Sequence, residues 1–174
     1  MPRPKTNNGM IFETMLNTTN AMYYNRNEAV VNKRATPVKV LRTQGNRILS
    51  AEYEAKSTVD YDGVVEGRAI MFEAKSTMEK LRFDLKMIAA HQYKHLEKCH
   101  KAGAICFVLA FVIPHQAIYL IPFELLREYW TATAAGGRKS IPIAELNERA
   151  VKFGTAGRAP VDYLPHVKRI WFNG

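Results

Sequence analysis

Cysteine is scarce in this chain of 174 residues: only Cys99 and Cys106 occur, too few for a disulfide framework. Their scarcity fits a reducing, cytoplasmic setting. Long hydrophobic runs are absent too. The longest, 104–113, is about half of the roughly twenty apolar residues that a membrane span needs. The N-terminal MPRPKTNNG has no apolar segment of the secretory kind. There is no internal repeat and no low-complexity tract. Acid is the charge in short supply, with 16 Asp and Glu against 25 Lys and Arg, a net charge of +9. Such an excess on a small domain points to an anionic partner, most often nucleic acid. Apolar residues make up 47% of the chain, which excludes wholesale disorder.

Pro2, Pro4, Asn7, Asn8 and Gly9 mark residues 1–9 as a flexible arm, leaving 10–174 as one domain. Ile11, Met15, Leu16, Met22 and Tyr23 predict a helix over 10–24 with those side chains inward. Alternation after Pro37, a turn at Gln44-Gly45-Asn46 and an extended run after it predict a hairpin over about 37–56. It is basic near its tip, at Arg42 and Arg47, and at its roots, at Lys33, Arg34, Lys39 and Lys56. Two paired strands are expected over 59–65 and 69–75, joined at Gly67. A five-turn helix is expected over 79–98, with Leu85, Ile88, Ala89, Tyr93 and Leu96 facing the core. The apolar run 104–111 reads as a central buried strand. A strand over 116–121, a helix over 123–130, a helix over 143–151 and a strand or turn at 169–172 complete the order. The fold class is therefore α/β or α+β with a mixed sheet.

The chemistry concentrates between Asp60 and Lys75. In Glu73-Ala74-Lys75 the two charged residues are one position apart, so on a strand they share a face. A hairpin brings Asp60 beside Glu73. Two carboxylates side by side repel unless a cation lies between them, and hard oxygen donors suit Mg²⁺, with Mn²⁺ as a substitute. Phosphodiester hydrolysis uses those parts: a metal to neutralise phosphate and a Lys to stabilise developing charge. An E-x-K triplet is more often a solvated face. Three features favour the catalytic reading here: Asp60 at hairpin distance, the apolar neighbours Ile70, Met71, Phe72 and Ala74, and the basic chain. Asp62 is a rival to Asp60, although Asp62-Gly63 suggests a turn. His91, His95 and Cys99 fall at helical spacing, but no second ligand cluster accompanies them, so zinc is the weaker reading. Arg138 and Lys139, after two glycines, are candidates for phosphate contact.

The D-x12-E-x-K spacing resembles the PD-(D/E)xK signature of restriction-endonuclease-like nucleases. More specifically, the chain resembles the RecU family of Holliday-junction resolvases. The resemblance runs through Gly9-Met10 with Glu13 and Thr19-Asn20, Thr36-Pro37, 57–63, Gly67-Arg68, 72–75, His91-Gln92, 105–108, 137–141, Ala159-Pro160 and Asp162-Tyr163. It implies a central mixed sheet flanked by helices, with the basic hairpin projecting as a stalk into the junction centre. It implies Thr58, Asp60, Glu73 and Gln92 as magnesium-binding positions and Lys75 as the stabiliser of the transition state. Glu13 matches an acidic residue that often lies near such sites. The implied activity is Mg²⁺-dependent cutting of four-way junctions in recombination and repair, by paired symmetric nicks that leave 3′-hydroxyl and 5′-phosphate ends. The implied partners are branched DNA, a second copy of the chain and recombination proteins of the host, with no membrane. The arm is shorter than expected of bacterial members, as in a phage-encoded one, so arm-based contacts with a recombinase are the family trait least expected here. The alternatives are a sequence-specific restriction-type endonuclease and a non-catalytic junction-binding protein. Retention of the acids and the Lys argues against the latter.

Overall fold

The computed structural model describes residues 8–172. The expected arm lies outside the described residues up to position 7; Asn8 and Gly9 already belong to the first helix, α1 (Asn8–Asn25). That helix turns Phe12, Leu16, Thr19, Asn20 and Tyr23 inward, at spacings of three and four. Ile11, expected inside, is exposed. The buried stripe is partly polar because it anchors a distant segment: Thr19 Oγ1 accepts from Val161 N, and the Tyr163 hydroxyl donates to Asn20 Oδ1.

Two strands that the sequence pattern indicates, and one that it does not, build the half of the sheet carrying the site. The unforeseen one is β1 (Val30–Lys33). Then come β2 (Val38–Gln44) and β3 (Arg47–Tyr53), the expected hairpin, which forms its own two-stranded sheet. β4 (Tyr61–Val65) and β5 (Arg68–Thr77) pair antiparallel around Gly67, whose φ of +79° suits a tight turn. Asp62 and Gly63 lie inside β4 and not in a turn. A Cβ at Gly63 would come within 2.2 Å of the Val30 carbonyl oxygen, so glycine there lets β1 cross closely.

The expected helix over 79–98 is interrupted. Its first part is a short strand, β6 (Arg82–Asp84), followed by a 3-10 turn (Leu85–Met87); only α2 (Ala90–Lys101) is α-helical. Phe83 and Leu85 are both buried and alternate with Arg82, Asp84 and Lys86, a period of two embedded in a pattern that also fits a helix. Leu85, Ile88, Tyr93 and Leu96 are in the core as expected.

β7 (Ile105–Val112) is the central strand, parallel to β5 on one side and antiparallel on the other to β8 (Ala117–Pro122). α3 (Phe123–Ala134), β9 (Ser140–Pro142), α4 (Ile143–Arg149), β10 (Val151–Phe153) and α5 (Leu164–Trp171) follow. The tail is thus a helix, not a strand; Pro165 sits in its first turn, and Leu164 and Val167 bury one face. The main sheet runs β1-β4-β5-β7-β8-β10, six strands of mixed direction, with β6 paired to β9 at its flank. Core residues cover both faces. Ile105, Phe107 and Leu109 meet α1 and α5, while Val108 and Ala110 meet α2, α3 and α4. Burial on both faces is why β7 reads as an unbroken apolar run.

Candidate active site

Antiparallel pairing sets Tyr61 opposite Phe72, so Asp60, just before β4, reaches the level of Glu73 and Lys75 on β5. Lys75 Nζ lies 3.0 Å from Asp60 Oδ2 and 2.7 Å from Glu73 Oε2. Asp60 Oδ2 also accepts from the Ala74 amide at 3.0 Å. The convergence expected from the E-x-K spacing is therefore present in the geometry. Glu73 is fully buried, and its second oxygen, Oε1, has no hydrogen-bond partner among the described residues.

Gln92 reaches the same carboxylate from α2. Its Nε2 donates to Glu73 Oε2 at 2.7 Å, and its Oε1 accepts from the Ala89 amide at 3.0 Å. The second bond is half of a capping box at the start of the helix, which fixes the side chain before it meets Glu73. A Gln three positions into a helix is the signal by which that placement could have been read from sequence. Thr58 is turned elsewhere: its hydroxyl accepts from Arg34 Nη1 at 2.7 Å. Glu13 lies across the pocket and pairs with Lys33. Glu13, Asp60, Ala74 and Lys75 line one pocket of about 430 Å³. Arg42 and Arg47 lie along the exposed hairpin and Lys56 at its root, while Arg138 and Lys139 precede β9. None of these last five lines that pocket. His95 Nε2 contacts Cys99 Sγ at 3.4 Å.

Electrostatics divides the two carboxyls. Burial raises the Glu73 carboxyl, and the neighbouring Asp60 raises it further, to about 8 against the opposing pull of Lys75. Burial also opposes the charged form of Asp60. There the contacts with Glu73, Lys75 and the Ala74 amide outweigh it and hold the carboxyl below its ordinary range. Lys75 is disfavoured as a cation by burial, but Glu73 and Asp60 together push its pKa up, so it stays charged.

Those shifts have a consequence for stability. Between about pH 4.5, the ordinary value for Glu, and about 8, the folded protein holds a proton on Glu73 that the unfolded chain has released. The unfolded state then binds fewer protons, so stability falls as pH rises through that window and levels off above it. Glu73→Gln removes the loss. In EDTA, the variant is expected to melt higher than the parent, with a gap that grows from pH 5 to pH 8 to on the order of 5 °C. Parallel melting curves at all pH values would show that Glu73 ionises normally.

The donor set fits a hard divalent cation. Among the described residues, no group of three or more His, Cys, Asp or Glu is arranged to hold a metal. A metal here would rest on the Asp60 and Glu73 carboxylates and on neutral oxygens. The unpartnered Glu73 Oε1 is the observation that favours it, since a buried carboxylate oxygen without a partner is costly.

An Asp ahead of one strand and E-x-K on the next, in a mixed sheet flanked by helices, is the arrangement of the PD-(D/E)xK nuclease class. Within that class, the model for the family Recombination protein U matches residues 7–169, and the chain belongs to this family. The chain is 38% identical over 173 residues to the Holliday junction resolvase RecU of Geobacillus thermodenitrificans, covering 96% of this chain and 86% of that one. It is 32% identical to the Holliday junction resolvase RecU of Pediococcus pentosaceus, covering 99% and 89%. A solved structure, the Holliday junction resolvase Hjc of Archaeoglobus fulgidus, is similar over 66% of this chain and 77% of that one, at 14% identity and a TM-score of 0.41.

Proposed function

We propose that this protein is a Mg²⁺-dependent, structure-specific endodeoxyribonuclease that resolves four-way DNA junctions by paired nicks. The observation that carries the reading is the meeting of Asp60, Glu73 and Lys75 at adjoining strands in a chain of the RecU family. Asp60 and Glu73 would hold the Mg²⁺, which when bound supplies charge neutralisation at the phosphate and a more acidic water. The chain's own residues do the rest. Gln92 orients Glu73 and the Ala74 amide orients Asp60. Lys75, kept protonated by both acids, offers its ammonium to the charge that builds on the phosphate oxygens. Glu13 stands at the margin of the pocket as a further oxygen donor, while the Thr58 hydroxyl is engaged by Arg34. The decisive experiment is incubation with a mobile four-way junction and a matched linear duplex, with and without Mg²⁺. Cutting of the junction alone, and only with metal, is expected. Cutting of linear duplex at a short fixed site would instead indicate a restriction-type enzyme, and binding without cutting a junction-binding protein.

The hairpin supports selection by shape. Every residue of β2 and β3 is exposed, and its cations Lys39, Arg42 and Arg47 suit a cavity lined by phosphates. Replacing the tip with a short Gly-Ser turn is expected to weaken junction binding by roughly tenfold or more, linear-duplex binding far less, and to flatten the salt dependence of the former. Equal loss on both substrates would reduce the hairpin to a general basic surface.

The same hairpin supports a homodimer. Val38, Val40, Leu41, Ile48, Leu49 and Tyr53 are all exposed on it, and Leu41 sits at a break in the pairing register. A lone two-stranded hairpin is marginal in water, and this much bare apolar surface calls for a cover. A second copy supplies one and also the second site that paired nicks require. Sedimentation is expected to give a dimer; a monomer, both free and on DNA, would contradict it.

A further inference from the structure

Arg34 follows β1, and its amide donates to the Asp60 carbonyl at 2.8 Å, so the register of β1 on β4 places it at the mouth of the catalytic pocket. Its guanidinium is held on two sides. Nε lies 3.2 Å from Asp62 Oδ2, and Nη1 donates to Thr58 at 2.7 Å. Nη2 takes part in neither contact. The side chain is 42% exposed. Surface pairs of this kind add little to stability, so stability alone does not account for a guanidinium fixed at this place. A second groove, of about 310 Å³, lies at the hairpin's roots. Arg34 and Ser57 line both this groove and the catalytic pocket, so the two are contiguous; Lys56 also lines the root groove. A strand passing from the hairpin to Asp60 and Glu73 runs over Arg34.

We infer that Arg34 binds the phosphate next to the scissile one on the cleaved strand, in the root groove. The inference rests on the proposed junction-cutting function and adds to it the path of the strand. A guanidinium already oriented by Asp62 and Thr58 loses little freedom on meeting a phosphate, and it keeps donors to spare. Asp62 then acts as the positioning residue that aims it.

The test is a cycle between the side chain and the phosphate. Junctions carry one neutral methylphosphonate at a time around the mapped cut, and binding is measured in EDTA so that no strand is cut. In the wild type, neutralising the neighbouring phosphate is expected to weaken binding about tenfold. In Arg34→Gln that position is expected to lose its effect while the others keep theirs. The slope of log affinity against log salt should fall by about 0.9. Should the Gln variant melt early, Arg34→Lys carries the test, with the wild-type slope and the sensitivity at that phosphate both retained. A wild type that neither prefers nor cuts junctions overturns the function and this inference together. A wild type that does both, with a methylphosphonate profile that Arg34→Gln leaves unchanged, overturns the inference alone.

Discussion

Asp60→Ala and Glu73→Ala are each expected to abolish junction cutting, a loss of roughly a thousandfold or more, while junction affinity stays within a few-fold of the parent. Each change removes one of the two carboxylates that meet Lys75, and with it half of the anionic oxygen available to a metal. Affinity is expected to come from elsewhere, from cations spread over the hairpin, its roots and the 138–139 loop. The two variants should differ in stability. Glu73→Ala relieves a buried carboxyl that resists ionisation, whereas Asp60→Ala deprives the Ala74 amide and Lys75 of an acceptor. Cleavage assays with a labelled junction, paired with gel shifts in Ca²⁺ or EDTA, check both halves. Full cutting by either variant would move the active site elsewhere.

Lys75→Ala is expected to slow single-turnover cleavage by roughly a hundred- to a thousandfold with little change in junction binding. The ammonium sits between the two acids, so it acts on charge at that point and not on general affinity. Removing it also leaves Asp60 and Glu73 facing one another without a cation, and the Glu73 carboxyl should then titrate still higher. The slowed enzyme is therefore expected to recover part of its rate at higher pH and higher Mg²⁺. A normal single-turnover rate in Lys75→Ala would remove the residue from the chemistry.

Much of this site was legible because strands have a period of two. Glu73 and Lys75 had to share a face, and Asp60 had to lie within reach across a turn at Gly67. The central strand was equally plain from 105–112, since a strand buried on both faces admits no polar interruption. Gln92 was legible only through the family resemblance, and the place of Arg34 was not legible at all. Gln92 acts through a helix start that the pattern over 79–98 conceals, because Phe83 and Leu85 satisfy strand and helix spacings alike. Arg34 acts through the pairing of a four-residue strand, β1, too short to announce itself. The role of Gly63 was misread for the same reason: Asp-Gly is a turn signal unless another strand crosses there, and only the β1–β4 register shows that it does.

The strand that carries Glu73 and Lys75 has its parallel neighbour far along the chain, with Ile70 opposite Ile105. Parallel pairing across a crossover closes late, because the loop must be gathered before its contacts reward it. Gln92, which orients Glu73, belongs to that same crossover. The local β4–β5 hairpin can gather Asp60, Glu73 and Lys75 by itself, yet Glu73 gains its Gln92 partner and its burial only when the crossover closes. Completion of the candidate site is thereby tied to closure of the same sheet that buries the core.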